Sequence, residues 1–268
     1  MTIFFSHIPK SAGTTFRNIL INNYSWRHLD WAHKIKKTKS TIKHFPFNSP
    51  KAMKKLESIS GHCLRYDSAV QSAYPSIKYV TFLRDPVSRL VSLYFHILRT
   101  WNPKLSFHEW TLDAARPELS NFQTRFIAGS ADLKRAETLL SDAFFFVGKA
   151  ERFDESICFF KRMIGNSFDN RYESLRVSKQ RKDEFYNNDR NQKALERLRQ
   201  NNTLDLKLND YIEQNLFPTY KAKYGDVQTD CQKIKQENQN FEFSQIKKNL
   251  FLAKKNIINN PLLYLINR

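Results

Sequence analysis

Residues 3–16 read Ile3-Phe4-Phe5-Ser6-His7-Ile8-Pro9-Lys10-Ser11-Ala12-Gly13-Thr14-Thr15-Phe16. The apolar run Ile3–Phe5 is a buried strand. A helix from Thr14 to Asn23 follows, with Phe16, Ile19 and Leu20 on one face and Arg17 on another. Between them lies a short loop with the composition of an anion cradle. Gly13 lets the backbone approach a ligand, the first amides of the helix point at negative charge, and Thr14 and Thr15 add hydroxyl donors. Lys10 brings a point charge. Lys10, Ser11, Ala12, Gly13, Thr14 and Thr15 are therefore candidate phosphate-binding residues.

A second segment repeats the arrangement. Ile77–Leu83 is a buried strand, and it ends in Arg84-Asp85-Pro86-Val87-Ser88-Arg89-Leu90-Val91-Ser92. Asp85 can cap a helix over 86–98, with Pro86 in its first turn. Ser106 and Glu109 have capping-box spacing and start another helix. Helix over 131–141 then leads into Ala143–Val147, apolar on both faces as a central parallel strand would be. Amphipathic helices over 151–164, 191–201 and 204–224 follow. Strand and helix alternate early and helices dominate late. This order predicts an α/β fold with a P-loop-like central parallel sheet flanked by helices and a helical C-terminal subregion. The expected division is a domain over 1–226 and an extension over 227–268.

Together these segments resemble the cofactor motifs of sulfotransferases that use 3'-phosphoadenosine 5'-phosphosulfate (PAPS). The resemblance is closest to the carbohydrate branch that contains the heparan sulfate 2-O-sulfotransferases, and it runs in order over about residues 1–224. It implies that Arg84 and Ser92, eight positions apart, grip the 3'-phosphate of the donor. Lys10 would stabilise the charge on the departing phosphate as the S–O bond breaks. Ser60-Gly61-His62 resembles the His-Gly-His element in which the second histidine is the general base, with Ser60 replacing the first. His62 is thus the candidate base, since a neutral imidazole accepts a hydroxyl proton near neutral pH. His7, His28, His33, His44, His96 and His108 read as structural or exposed. Val177-Ser178-Lys179-Gln180-Arg181-Lys182 resembles a loop that closes over the nucleotide, which would bring Lys179 and Arg181 to the 3'-phosphate. The implied acceptor is a carbohydrate hydroxyl on an anionic oligo- or polysaccharide, and no metal is implied.

The 268-residue chain carries a formal charge of +18. Its surface favours polyanions, without choosing among nucleic acid, acidic lipid and acidic polysaccharide. The excess concentrates between Trp31 and Leu56, where Lys34, Lys36, Lys37, Lys39, Lys43, Lys51, Lys54 and Lys55 meet no acidic residue. Such a run serves equally as a solvated loop or as the rim of an acceptor site. Cys63, Cys158 and Cys231 have no metal-ligand spacing and suggest a reducing compartment. With a first strand two residues from the start and no apolar run of bilayer length, the chain reads as cytoplasmic. Residues 227–268 read first as a packed terminal helix, with a dimer contact or peripheral membrane contact as alternatives.

Two rival readings remain at this stage. A phosphate-loop kinase would place its lysine after the second glycine of Gly-x-x-x-x-Gly-Lys-Ser/Thr, whereas Lys10 precedes Gly13. A non-catalytic polyanion-binding protein would account for the lysine run but not for the paired motifs.

Overall fold

Phe4 and Phe5 are fully buried in β1 (Thr2–Ser6), the middle strand of a five-stranded parallel sheet with order β2-β3-β1-β4-β5. The other strands are β2 (His28–Asp30), β3 (Ser58–Gly61), β4 (Ile77–Leu83) and β5 (Phe144–Lys149). The computed structural model describes residues 1–31, 46–101, 104–113, 115–173 and 185–259. Among the described residues no helix is long and apolar enough to cross a membrane.

Helix α1 (Gly13–Tyr24) leaves β1 and leads to the β2 edge, after which α2 (Pro50–Met53) precedes β3 and α3 (Ser68–Ala73) precedes β4. The chain thus moves first to one side of β1 and then to the other. Beyond β4 come α4 (Pro86–Thr100), α5 (Phe107–Leu112), α6 (Phe122–Ala128) and α7 (Leu133–Asp142) before β5. α8 (Phe153–Ile164), α9 (Asp189–Asn201), α10 (Thr203–Tyr211), α11 (Phe217–Tyr224), α12 (Gln228–Glu237) and α13 (Gln245–Ala253) complete the described chain. The helix expected over 204–224 is realised as α10 and α11, joined by a π-helical segment at Ile212–Leu216. As expected, Asp85 and Ser106 cap their helices, the latter in a full capping box, and Ser49 caps α2.

One expectation about strands is corrected. β5 lies at a sheet edge rather than in the centre; its two-sided apolar pattern arises because α7 and α8 cover it, and the Val147 amide donates to the Tyr220 hydroxyl at 3.1 Å. Residues 61–66, which read from sequence as a short strand or an extended loop, leave the sheet as a loop: β3 spans Ser58–Gly61, and His62 lies just beyond the strand end. β2 was not anticipated, because three residues after a short helical turn carry no periodic signal.

Helices bury the sheet with aromatic contacts. Phe16 of α1 lies 4.8 Å from both Phe5 and Phe82, and Phe160 of α8 closes against it at 5.3 Å. Each such ring buried from water contributes on the order of 2–3 kcal/mol. A second cluster forms where α4, α5 and α9 meet, around Leu90, Tyr94, Trp110 and Leu195. Cys158 and Cys231, remote in sequence, come together between α8 and α12 as free thiols, and burial pushes both up.

A reciprocal cap welds α6 to α10. Buried Asp205 accepts from the Gln123 and Thr124 amides at 2.9 and 2.7 Å and from the Thr124 hydroxyl at 2.8 Å. Asn121, in the left-handed region at φ 43°, accepts from the Leu204 amide at 2.9 Å. Nearby Arg89 is fully buried over the Phe122 ring, donates to the Glu118 carbonyl, and is pushed down to about 10 by burial. Asp205→Ala strands three donors and removes a compensating charge near Arg89. It is expected to cost about 3 kcal/mol in urea unfolding, with Asp205→Asn milder.

Candidate active site

Parallel strands present their carboxyl ends to one edge of the sheet, and ligands bind where the chain switches direction across it. Here β3, β1 and β4 are neighbours, with Ser6 opposite Gly61 on one side and Thr81 on the other. The residues just past these strands are His62, the loop His7–Ala12, and Arg84. Strand order alone therefore gathers three groups that are far apart in sequence.

The loop after β1 is held in an unfavourable shape. Lys10 and Ala12 adopt left-handed backbone, at φ 68° and 59°, which costs a non-glycine residue about 1–2 kcal/mol. Ala12 precedes α1 without any side-chain cap, so the first amides of the helix remain available to an anion. The buried Ser11 hydroxyl has no hydrogen-bond partner. Gly13 is obligatory, since a Cβ there would lie 1.9 Å from the His7 ring. Thr14 is exposed and Thr15 half-buried at the mouth of this turn.

Arg84 braces the loop from β4. Its Nη1 donates to the Lys10 carbonyl at 3.1 Å, and Glu151 lies 3.5 Å from its Nε. Gln123 grips the backbone on both sides of Arg84: its Oε1 accepts from the Arg84 amide at 3.0 Å and its Nε2 donates to the Arg84 carbonyl at 2.7 Å. The Asp205 cap thus reaches the site through Gln123. Ser92 follows on α4, half-buried, in the row Ser88–Ser92–His96–Arg99 that helical spacing places on one face. Burial, then Arg99 and Arg84, hold the Lys10 ammonium below its ordinary value, and burial, then Lys10 and Arg99, depress His96. Cations crowd this side of β1, as a site for a polyanionic ligand requires. Tyr186 packs at Ser88 and Arg84, and burial raises its phenol.

On the other side of β1 the imidazoles are held toward their neutral form. His62 stacks on His7 with ring centroids 3.9 Å apart, and its Nδ1 lies 3.0 Å from the His7 carbonyl. A carbonyl only accepts, so Nδ1 carries the proton and Nε2 keeps its lone pair. Burial lowers His62, outweighing the His7 carbonyl and Asp30. Ser60 is fully buried; its hydroxyl lies 3.1 Å from His28 Nε2 and 3.4 Å from Asp30 Oδ1, while the Ser58 hydroxyl lies 2.7 Å from His28 Nδ1. The position of the missing first histidine is thus occupied by a hydroxyl that supports an imidazole from β2.

Lys10, Ser11, Ala12, Gly13, Thr14, Thr15, Arg84 and His62 accordingly lie around adjoining strand ends, and Ser92 lies about two turns into α4. Lys179 and Arg181 fall outside the described residues, as do Lys34, Lys36, Lys37, Lys39 and Lys43 of the basic run. Gln123, Glu151, Tyr186 and Asp30 were not found from sequence. None sits in a motif, and each reaches the site from another element.

A family model described as "Sulfotransferase family" matches residues 1–212. Among solved structures, the chain is similar to a sulfotransferase from Alicyclobacillus acidocaldarius at 16% identity and a TM-score of 0.41, covering 76% of this chain and 96% of that one. No curated protein sequence matches the chain.

Burial pushes His7 and His28 down from the ordinary 6.5 to about 3. The unfolded chain therefore binds more protons than the folded one between these values, so stability is full above pH 6.5 and is lost as pH falls toward 3. Urea midpoints measured from pH 7 to 4 should decline, and His28→Gln should flatten the decline.

Proposed function

The chain belongs to the sulfotransferase family, and from that premise we propose that it transfers a sulfuryl group from PAPS to a hydroxyl of an anionic carbohydrate. The observation that carries this reading is the bond from Arg84 Nη1 to the Lys10 carbonyl, which joins the two cation-bearing motifs into one cradle beside His62.

The residues present suit the donor. The open amides at Gly13–Thr15, the orphaned Ser11 hydroxyl and the Lys10 ammonium would hold its phosphosulfate arm, and Arg84 and Ser92 its 3'-phosphate. PAPS supplies an activated sulfuryl group on a phosphate leaving group. His62 Nε2, the free lone pair of its ring, takes the acceptor's hydroxyl proton as the oxygen bonds to sulfur. Lys10 stabilises the negative charge that collects on the bridging oxygen as the S–O bond breaks. The depressed His62 keeps the imidazole in its accepting form below the ordinary histidine range. An anionic acceptor matches the +18 charge and the lysine run between Trp31 and Leu56 in the sequence.

Three substitutions separate these roles. Lys10→Ala should lower kcat with labelled sulfate donor by about 100-fold or more. His62→Ala should retain binding of adenosine 3',5'-bisphosphate in calorimetry and lose about 100- to 10,000-fold in transfer. Arg84→Ala should weaken that binding at least 10-fold, and an unchanged dissociation constant would refute its role. A panel of glycosaminoglycan, capsular and glycolipid acceptors identifies the sugar. Retention on every polyanion, insensitive to free nucleotide, would instead favour a simple binding protein.

A further inference from the structure

The described chain ends beyond the family match, in α13 and the turn Lys254–Asn259, which pack on α1 and along the β2 edge. Three contacts anchor this segment. Phe251 is buried with its ring centroid 5.6 Å from that of His28, Lys247 Nζ donates to the Asn22 carbonyl at 2.7 Å, and Lys254 donates to the Trp26 carbonyl.

Lys255 makes a contact of another kind. Its Nζ lies 2.6 Å from Asp30 Oδ2, in an ion pair whose side chains are 24% and 10% exposed. The same oxygen lies 3.3 Å from Arg17 Nη1, and Asp30 Oδ1 accepts from the Ser60 hydroxyl. Asp30 stands opposite Ser60 in the sheet, and Ser60 is two residues before His62. One carboxylate at the end of β2 is therefore shared by two cations, one from α1 and one from the extension.

We propose that Lys255 is a positioning residue for the transfer reaction: by pairing with Asp30 it sets the charge presented to the His7–His62 pair, so the carboxy-terminal extension sets the pH at which His62 becomes a base. This rests on the reading of His62 as that base. The groups acting on His62 are His7 from the end of β1, Arg17 from α1 and Asp30 from β2, with His28 behind Asp30 in the same network. Asp30 favours the protonated imidazole and Arg17 opposes it, at both His62 and His7. Lys255 acts through Asp30. Without its ammonium, Asp30 is neutralised by Arg17 alone and its field at the imidazoles grows.

The test is the titration of the His62 Cε1–H resonance by NMR in the full-length protein, assigned by its loss in His62→Gln. In Lys255→Gln the midpoint should rise by about half a pH unit, and in Asp30→Asn it should fall by about as much. Lys255→Arg should restore the wild-type midpoint. A packing role predicts equal and signless losses of stability, not opposite shifts in one titration. The acid limb of kcat/KM should move in the same directions. A His62 midpoint unmoved in folded Lys255→Gln and Asp30→Asn overturns the proposal. Normal turnover by His62→Ala would instead remove the base, while the resonance shifts still judge the coupling itself.

Discussion

A guanidinium from β4 holding a carbonyl in the loop after β1 is the contact on which the site depends. The loop needs holding, because Lys10 and Ala12 both occupy left-handed backbone that their side chains disfavour. On one side the His7 ring closes over Gly13, leaving no room for a side chain there. On the other, Arg84 takes up the Lys10 carbonyl and is itself clamped by Gln123. The outcome is a helix start with its amides turned outward and no capping side chain in their way. Part of the stability supplied by the aromatic core is thereby stored in a preorganised turn, the one we propose as the anion site.

β1 also divides the electrostatics. Lys10, Arg84, His96 and Arg99 influence one another on the β4 side, where only Glu151 is paired with the cradle's guanidinium among the described contacts. On the β3 side, His7, His28 and His62 are all held toward their neutral forms by burial. The contrast suits the reaction we propose, in which cations would meet a leaving phosphate while His62 stayed unprotonated. The Asp30 network lies behind the β3 side, joined to β3 through the Ser60 hydroxyl and to His28 through Ser60 and Ser58.

Much of the fold was legible from local pattern. The apolar runs of β1, β4 and β5, the caps at Asp85 and Ser106 and the alternation of strand and helix are short-range signals, and each element formed near its expected bounds. β2 escaped notice because three residues are too few to show a period. β5 was misplaced to the centre because helices bury an edge strand as thoroughly as neighbouring strands would. In the site, Lys10, His62 and Arg84 were legible because each follows a strand within a recognisable motif. Gln123, Asp30 and Lys255 were not, because each acts through a partner on another element.

The sequence by itself determined the chemistry available: a glycine-opened turn, a lysine and an arginine at strand ends, and an imidazole after Ser60-Gly61. These follow from residue type and short spacing, which chain connectivity alone enforces. Only the tertiary structure decided that the three strand ends adjoin, that the His62 proton sits on Nδ1, and that a lysine from the far end of the chain shares Asp30 with Arg17. Those facts depend on strand order and on packing across long sequence separations, where contact is set by burial of the whole core and no local pattern records it.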